Sequence, residues 1–415
     1  MQSETGDTSG HPARQDVADG DGARPNAHQH HGPSTRAVHA GAPVPEAGAP
    51  VVSPIHQTAT FFTDPVPSGE VLYTRYGTNP NHVALAEKLR ILEGAEAAVV
   101  LASGNAACAL SLLSCAGAGD HVVAQSELYG GTLRILNREL PRLGMDVTFL
   151  PGGVGWADAV RGETRALLME VPVNPTLRVP DMSDAARVAR DTGIPLIVDA
   201  TFASPINFRP LEHGADLVFH SATKYLGGHS DLTAGVVCGS GRRIAEVTEL
   251  LKSFGPVLDP HAVWLLERGV KTLAVRMARH NENGLAVARW LEQHAAVEKV
   301  FYPGLESHPD HERARALFSG FGGVVALMVR GGDDAALEVT QRLRLMCVAP
   351  SLGGVETLVS MPRYTSHASL SREARHAIGI GDGFIRLALG IEDSADLIAD
   401  LDQALAPVLT ADVRR

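Results

Sequence analysis

From about residue 80 the chain alternates short apolar runs with helical patterns, and this alternation limits the possible folds more than any other feature. The runs are "AAVVLA", "DHVVAQ", "DVTFL", "RALLMEV", "IPLIVDA" and "ADLVFH". Between them lie helix-forming segments with recognisable ends. "HVALAEKLRILEGA" places Leu85, Leu89 and Leu92 on one helical face, with Gly94 as terminator. "SDAARVARDTG" offers Ser183 as a cap and Gly193 as a stop. Repeated strand–helix–strand units predict an α/β fold built on a large, mostly parallel sheet with helices on its faces. Ligands bind such sheets beyond the carboxyl ends of the strands.

The polar residues at those strand ends carry the chemical information. Ser103, Gly104 and Asn105 follow the first run, Tyr129 the second and Asn174 the fourth. Asp199 closes the fifth, and Ser221, Thr223 and Lys224 follow the sixth. Asn174, Asp199 and Lys224 fall at equal intervals, about one βα unit apart, so successive units deliver an amide, a carboxylate and an amine to one rim. Lys224 is the unusual member. Arginine supplies most of the positive charge, and the other four lysines, Lys88, Lys252, Lys271 and Lys299, sit in ordinary helical contexts. Only Lys224 follows a strand and precedes the pair Gly227 and Gly228 in "HSATKYLGGHSD".

The remaining sequence divides around this block. Residues 1–34 are polar and glycine-rich, which predicts a disordered tail, with His28, His30 and His31 as solvated side chains. Residues 35–79 are proline-rich and lack helical periodicity, which predicts an extended arm packing on something else. Residues 80–285 form the large domain. Beyond them "GGVVALMVRGG", "DDAALEVTQRLRL" and "DGFIRLALGIED" predict a smaller C-terminal α/β domain over 286–415. A formal net charge of −11 argues against nucleic-acid or anionic-membrane partners. No apolar run reaches the roughly 18 residues of a membrane span. The N-terminus has neither the basic nor the apolar region of a secretion signal. Cys108, Cys115, Cys238 and Cys347 show no C-x-x-C spacing, as expected for reduced thiols in a cytoplasm.

An amine, a carboxylate and a phosphate cradle on one rim match the needs of pyridoxal phosphate. That cofactor requires a lysine for a Schiff base and a carboxylate to keep its ring nitrogen protonated. Lys224 and Asp199 fill those roles. The helix start at Gly104 and Asn105 offers backbone N–H groups to the phosphate, and the hydroxyls of Ser221 and Thr223 complete the cradle. Tyr129 can stack on the ring, and Asn174 can hydrogen-bond its phenolic oxygen. An amino-acid substrate needs a bidentate carboxylate clamp, for which Arg386 in "FIRLALG" is the candidate. A nicotinamide dehydrogenase would need G-x-G-x-x-G, and "LASGNAA" does not supply it.

The motifs "YTRYGTNPN", "ASGNAA", "ELYGGT", "EVPVNPTLRVPD", "VDATFASP", "HSATKYLGGHSD", "RGVKTLAVRM", "APSLGGVETLVSMP" and "IRLALGIED" resemble the γ-family of pyridoxal-phosphate enzymes of sulfur amino-acid metabolism over roughly residues 35–405. That family includes cystathionine γ-synthases, cystathionine γ-lyases, methionine γ-lyases and acylhomoserine sulfhydrylases. The resemblance implies the type I pyridoxal-phosphate transferase fold, with Lys224 and Tyr129 as catalytic groups. It implies that Ser103, Gly104, Asn105, Tyr129, Asn174, Asp199, Ser221, Thr223 and Lys224 bind the cofactor. It also implies that Tyr73 and Arg75 reach the phosphate of a neighbouring subunit, in a dimer with shared sites paired into a tetramer. Ser351 would stand beside the substrate carboxylate, with Arg386 as its clamp. The implied reaction is γ-elimination on a sulfur amino acid, with γ-replacement on an O-acylhomoserine as the alternative and aminotransfer as a distant one. Gly131 stands where methionine γ-lyases carry cysteine, and Pro350 where many cystathionine γ-lyases carry glutamate.

Overall fold

A computed structural model describes residues 30–412, except 67, 68, 70, 366 and 369. Most of the expected tail lies outside the described residues. Its last part joins a short helix, Pro33–His39, in which proline occupies the first turn and Ala37 is buried.

The first layer is a seven-stranded sheet of β1 (Ala97–Leu101), β2 (His121–Gln125), β3 (Asp146–Leu150), β4 (Thr164–Glu170), β5 (Leu196–Asp199), β6 (Leu217–Ser221) and β7 (Gly235–Gly239). Their spatial order is β1-β7-β6-β5-β4-β2-β3. Strands β6, β5, β4, β2 and β3 run parallel, and β7 lies antiparallel between β1 and β6. The apolar strands β2, β5 and β7 are buried at every residue, as a sheet covered on both faces requires. Helix Pro80–Glu93 buries Leu85, Leu89 and Leu92 and ends on Gly94 in the left-handed region. Helix Met182–Thr192 ends at Gly193 as expected, but its cap is Asp181, whose carboxylate accepts the Ser183 N–H at 2.9 Å. The correction has a simple cause: aspartate and serine are comparable caps, and the helix is capped two residues earlier, at Asp181.

The second layer is a five-stranded, mostly antiparallel sheet of β8 (Val297–Phe301), β9 (Val324–Val329), β10 (Cys347–Val348), β11 (Leu358–Ser360) and β12 (Phe384–Ala388), in the order β10-β11-β12-β9-β8. The twenty-residue helix Leu273–Glu292 connects the layers. Met277, in its first half, belongs to the core of the large sheet, and Val287 and Leu291 belong to the core of the small one. The same helix holds the chain just after β12, where His280 Nδ1 bonds the Leu389 carbonyl at 2.8 Å.

Candidate active site

The parallel strands end at one rim, and a cavity of about 770 Å³ opens there. Its wall includes Ser103, Gly104, Asn105, Tyr129, Asn174, Asp199, Ser221, Thr223, Lys224, Ser351 and Arg386. Eleven sequence candidates therefore meet in one place, although 283 residues separate Ser103 from Arg386 in the chain. Tyr73 and Arg75 do not line it. They belong to a short turn beside helix Gly241–Phe254, where the Arg75 guanidinium donates to the Lys252 carbonyl and lies 5.2 Å from the Tyr73 ring centre.

Lys224 lies three residues past β6 on a loop whose shape a second cation maintains. Arg276, itself buried, donates to the carbonyls of Tyr225 at 2.7 Å and Gly269 at 2.8 Å. Gly228 has φ +73°, and any Cβ there would stand 2.0 Å from the Arg276 guanidinium. The Lys224 Nζ donates to Ser351 Oγ at 2.9 Å. Burial, and then the nearby Arg386 charge, lower its pKa from 10.5 to about 8.

Arg386, on β12, donates to Asn174 Oδ1 at 3.1 Å and to the Ser351 carbonyl at 2.8 Å, while its buried Nε has no partner. Burial lowers its pKa to about 10. A buried guanidinium held only by neutral acceptors is suited to an incoming carboxylate. Ser351 adopts φ 139°, a region that favours glycine, and both contacts hold it there.

Asp199 closes β5, and its Oδ1 accepts the Thr201 N–H at 2.9 Å and the Thr201 hydroxyl at 2.5 Å. Burial raises its pKa, while the Thr201 bonds and the His220 charge oppose that rise. Across the cavity, Ser103 caps helix Gly104–Leu113 by accepting the Ala106 N–H at 3.1 Å. Only glycine fits at 104, because a Cβ would lie 2.6 Å from that of Ser221. The helix start and the Ser221 hydroxyl thus face one small space, fit for a phosphate. The Thr223 hydroxyl accepts the Ala234 N–H at 3.0 Å. A heteroaromatic cofactor with a phosphate at one end and a protonated ring nitrogen toward Asp199 fits these donors. The described residues hold no cluster of three or more metal-ligating side chains, and no helix among them is long and apolar enough to cross a membrane.

Two of the wall residues that the sequence did not single out bear directly on the candidates. Thr201 orients Asp199, and its signal was the hydroxyl two residues after a strand-end carboxylate. Glu170 is the last residue of β4; its acidic side chain at a buried strand end was visible in "RALLMEV".

Comparison with known proteins leads to the same chemistry. Residues 34–406 match the family described as Cys/Met metabolism PLP-dependent enzymes. The chain is 40% identical over 377 residues to a cystathionine β-lyase of Lactococcus lactis subsp. cremoris, covering 89% of this chain and 98% of the relative. It is 40% identical over 375 residues to a cystathionine γ-lyase of Bacillus subtilis, with the same coverage. Among solved structures, cystathionine γ-synthase from Xanthomonas oryzae pv. oryzae, in complex with aminoacrylate and cysteine, superimposes with a TM-score of 0.88 at 35% identity, over 92% of this chain and 99% of that one. The chain belongs to the pyridoxal-phosphate-dependent enzymes of cysteine and methionine metabolism, a family of lyases and synthases acting on amino acids.

Proposed function

We propose that this chain catalyses γ-elimination on a sulfur amino acid, splitting the bond between the γ-carbon and sulfur. The observation that carries this reading is the contact between the Lys224 amine and Ser351, whose carbonyl accepts from the Arg386 guanidinium. An amine tethered beside the carboxylate clamp faces the substrate's α- and β-carbons, the two positions from which γ-elimination must remove protons. With its pKa near 8, a fraction of that amine is neutral at physiological pH and able to accept a proton.

Bound pyridoxal phosphate supplies an electron sink for the carbanion formed at the substrate α-carbon. Lys224 anchors the cofactor's aldehyde and later carries protons from the α- and β-carbons. Asp199, oriented by Thr201, holds a proton on the ring nitrogen. The N–H groups of Gly104 and Asn105, with Ser103, Ser221 and Thr223, bind the phosphate. Tyr129 covers the ring and handles the proton on the amine or leaving group. Asn174 orients the phenolic oxygen, and Arg386 with Ser351 binds the substrate carboxylate. Tyr73 and Arg75 act on the phosphate of a neighbouring subunit, in a dimer paired into a tetramer. The exposed Val51, Phe62, Val66 and Val71 leave apolar side chains along the arm that a second copy could cover, which supports that assembly. Four free cysteines suit a cytoplasmic setting.

The likeness to the Xanthomonas γ-synthase favours a second reading, γ-replacement on an O-acylhomoserine. Product analysis of the cofactor-loaded enzyme separates the two. Cystathionine giving cysteine, ammonia and a four-carbon oxo-acid supports γ-elimination. Homocysteine with a three-carbon oxo-acid means β-elimination and contradicts it. Cystathionine formed from an O-acylhomoserine and cysteine, without oxo-acid release, establishes the second reading.

A further inference from the structure

Glu170 is a buried carboxylate at the cavity wall, and among the described residues it forms no ion pair. Burying a carboxylate is costly unless its oxygens are well hydrogen-bonded. Here each oxygen has a separate backbone donor. Oε2 accepts the Tyr129 N–H at 2.7 Å, and Oε1 accepts the Asn174 N–H at 2.7 Å. The two donors come from different loops, one after β2 and one after β4. Burial and the Asp199 charge push the Glu170 pKa up, and the two N–H bonds pull it back.

Only glutamate satisfies both donors at this position. Glutamine offers one oxygen and turns its amide NH2 against the other N–H, and aspartate falls a methylene short. The backbone so fixed determines where the side chains lie. The Tyr129 ring packs so closely over residue 131 that a Cβ there would stand 2.4 Å from it, so the ring moves when this backbone moves. Asn174 in turn receives the Arg386 guanidinium.

We propose that Glu170 is a positioning residue that ties the Tyr129 and Asn174 loops together, so that one carboxylate sets the spacing between the ring that covers the cofactor and the amide that orients its phenolic oxygen. The proposal rests on the roles assigned above to Tyr129 and Asn174. Its mark is a change in cofactor geometry without loss of the cofactor.

The test compares wild-type and Glu170→Gln holoenzymes by the visible circular dichroism of the Lys224-bound cofactor, by kcat and KM, and by thermal unfolding of the cofactor-free proteins. The expected result is a Glu170→Gln enzyme that keeps its cofactor on Lys224 but shows an altered dichroic band. Its kcat should fall on the order of 10- to 100-fold, as for a misplaced group, with a smaller change in KM. A wild-type band and kcat in Glu170→Gln overturn the proposal. If that variant does not fold, hydrogen exchange of the wild-type holoenzyme decides: slow exchange at both the Tyr129 and Asn174 amides upholds it, and fast exchange at either overturns it. A wild-type enzyme without cofactor on Lys224 overturns the assigned site and the proposal together.

Discussion

Two cations in the cavity wall, the half-buried Lys224 and the buried Arg386, stand out at the residue scale. Among the described residues neither has a carboxylate partner, and each is held by neutral oxygens instead. Such groups leave Coulomb energy unspent until an anion or a carbonyl arrives. The folded-state pKa of Lys224, about 8, lies below its ordinary 10.5, so between those values the unfolded chain binds more protons than the folded one. Stability therefore rises with pH through that window and is lowest below it, where the half-buried amine must stay charged. In urea titrations, cofactor-free wild type should gain stability relative to Lys224→Met as pH rises from about 8 toward 10.5. Parallel curves for the two proteins would contradict the burial account.

Strand ends and the loops after them build the site, and the sequence revealed these elements unequally. The face formed by Leu85, Leu89 and Leu92 and the six apolar runs were legible because periodicity and length define them locally. Strand β7 was not, since "GVVCG" has only three residues between its glycines, and its place between β1 and β6 depends on long-range pairing. The rim residues were legible as polar groups at strand ends. The roles of Glu170 and Thr201 were not, because each works through groups that only the folded loops bring within reach. Arg276 belongs to this second kind, as a helix residue that supports the Lys224 loop from 52 positions away. Arg276→Met should leave the Tyr225 carbonyl without its donor, and the Gly269 carbonyl with Thr272 alone, and destabilise the protein by about 2–4 kcal/mol, measured by chemical denaturation. A change below about 0.5 kcal/mol would show that the loop holds itself.

For the whole molecule, the notable fact is that one chain's cavity lacks Tyr73 and Arg75, while the arm that carries them exposes apolar surface. A shared site makes a stringent prediction. Arg75→Ala should lose cofactor readily, and Lys224→Ala should be inactive. Mixing the two chains should restore about a quarter of the wild-type sites, because half the dimers are mixed and one site in each is intact. No recovery in exchanged mixtures would place Arg75 outside any active site. The central claim is that Lys224 holds the cofactor, and the most direct measurement is a peptide map after borohydride reduction of the cofactor-loaded protein. The account predicts one pyridoxyl group per chain, on the peptide containing Lys224 and absent from Lys224→Ala. A reduced cofactor on any other lysine, or none on a yellow wild-type enzyme, would contradict it.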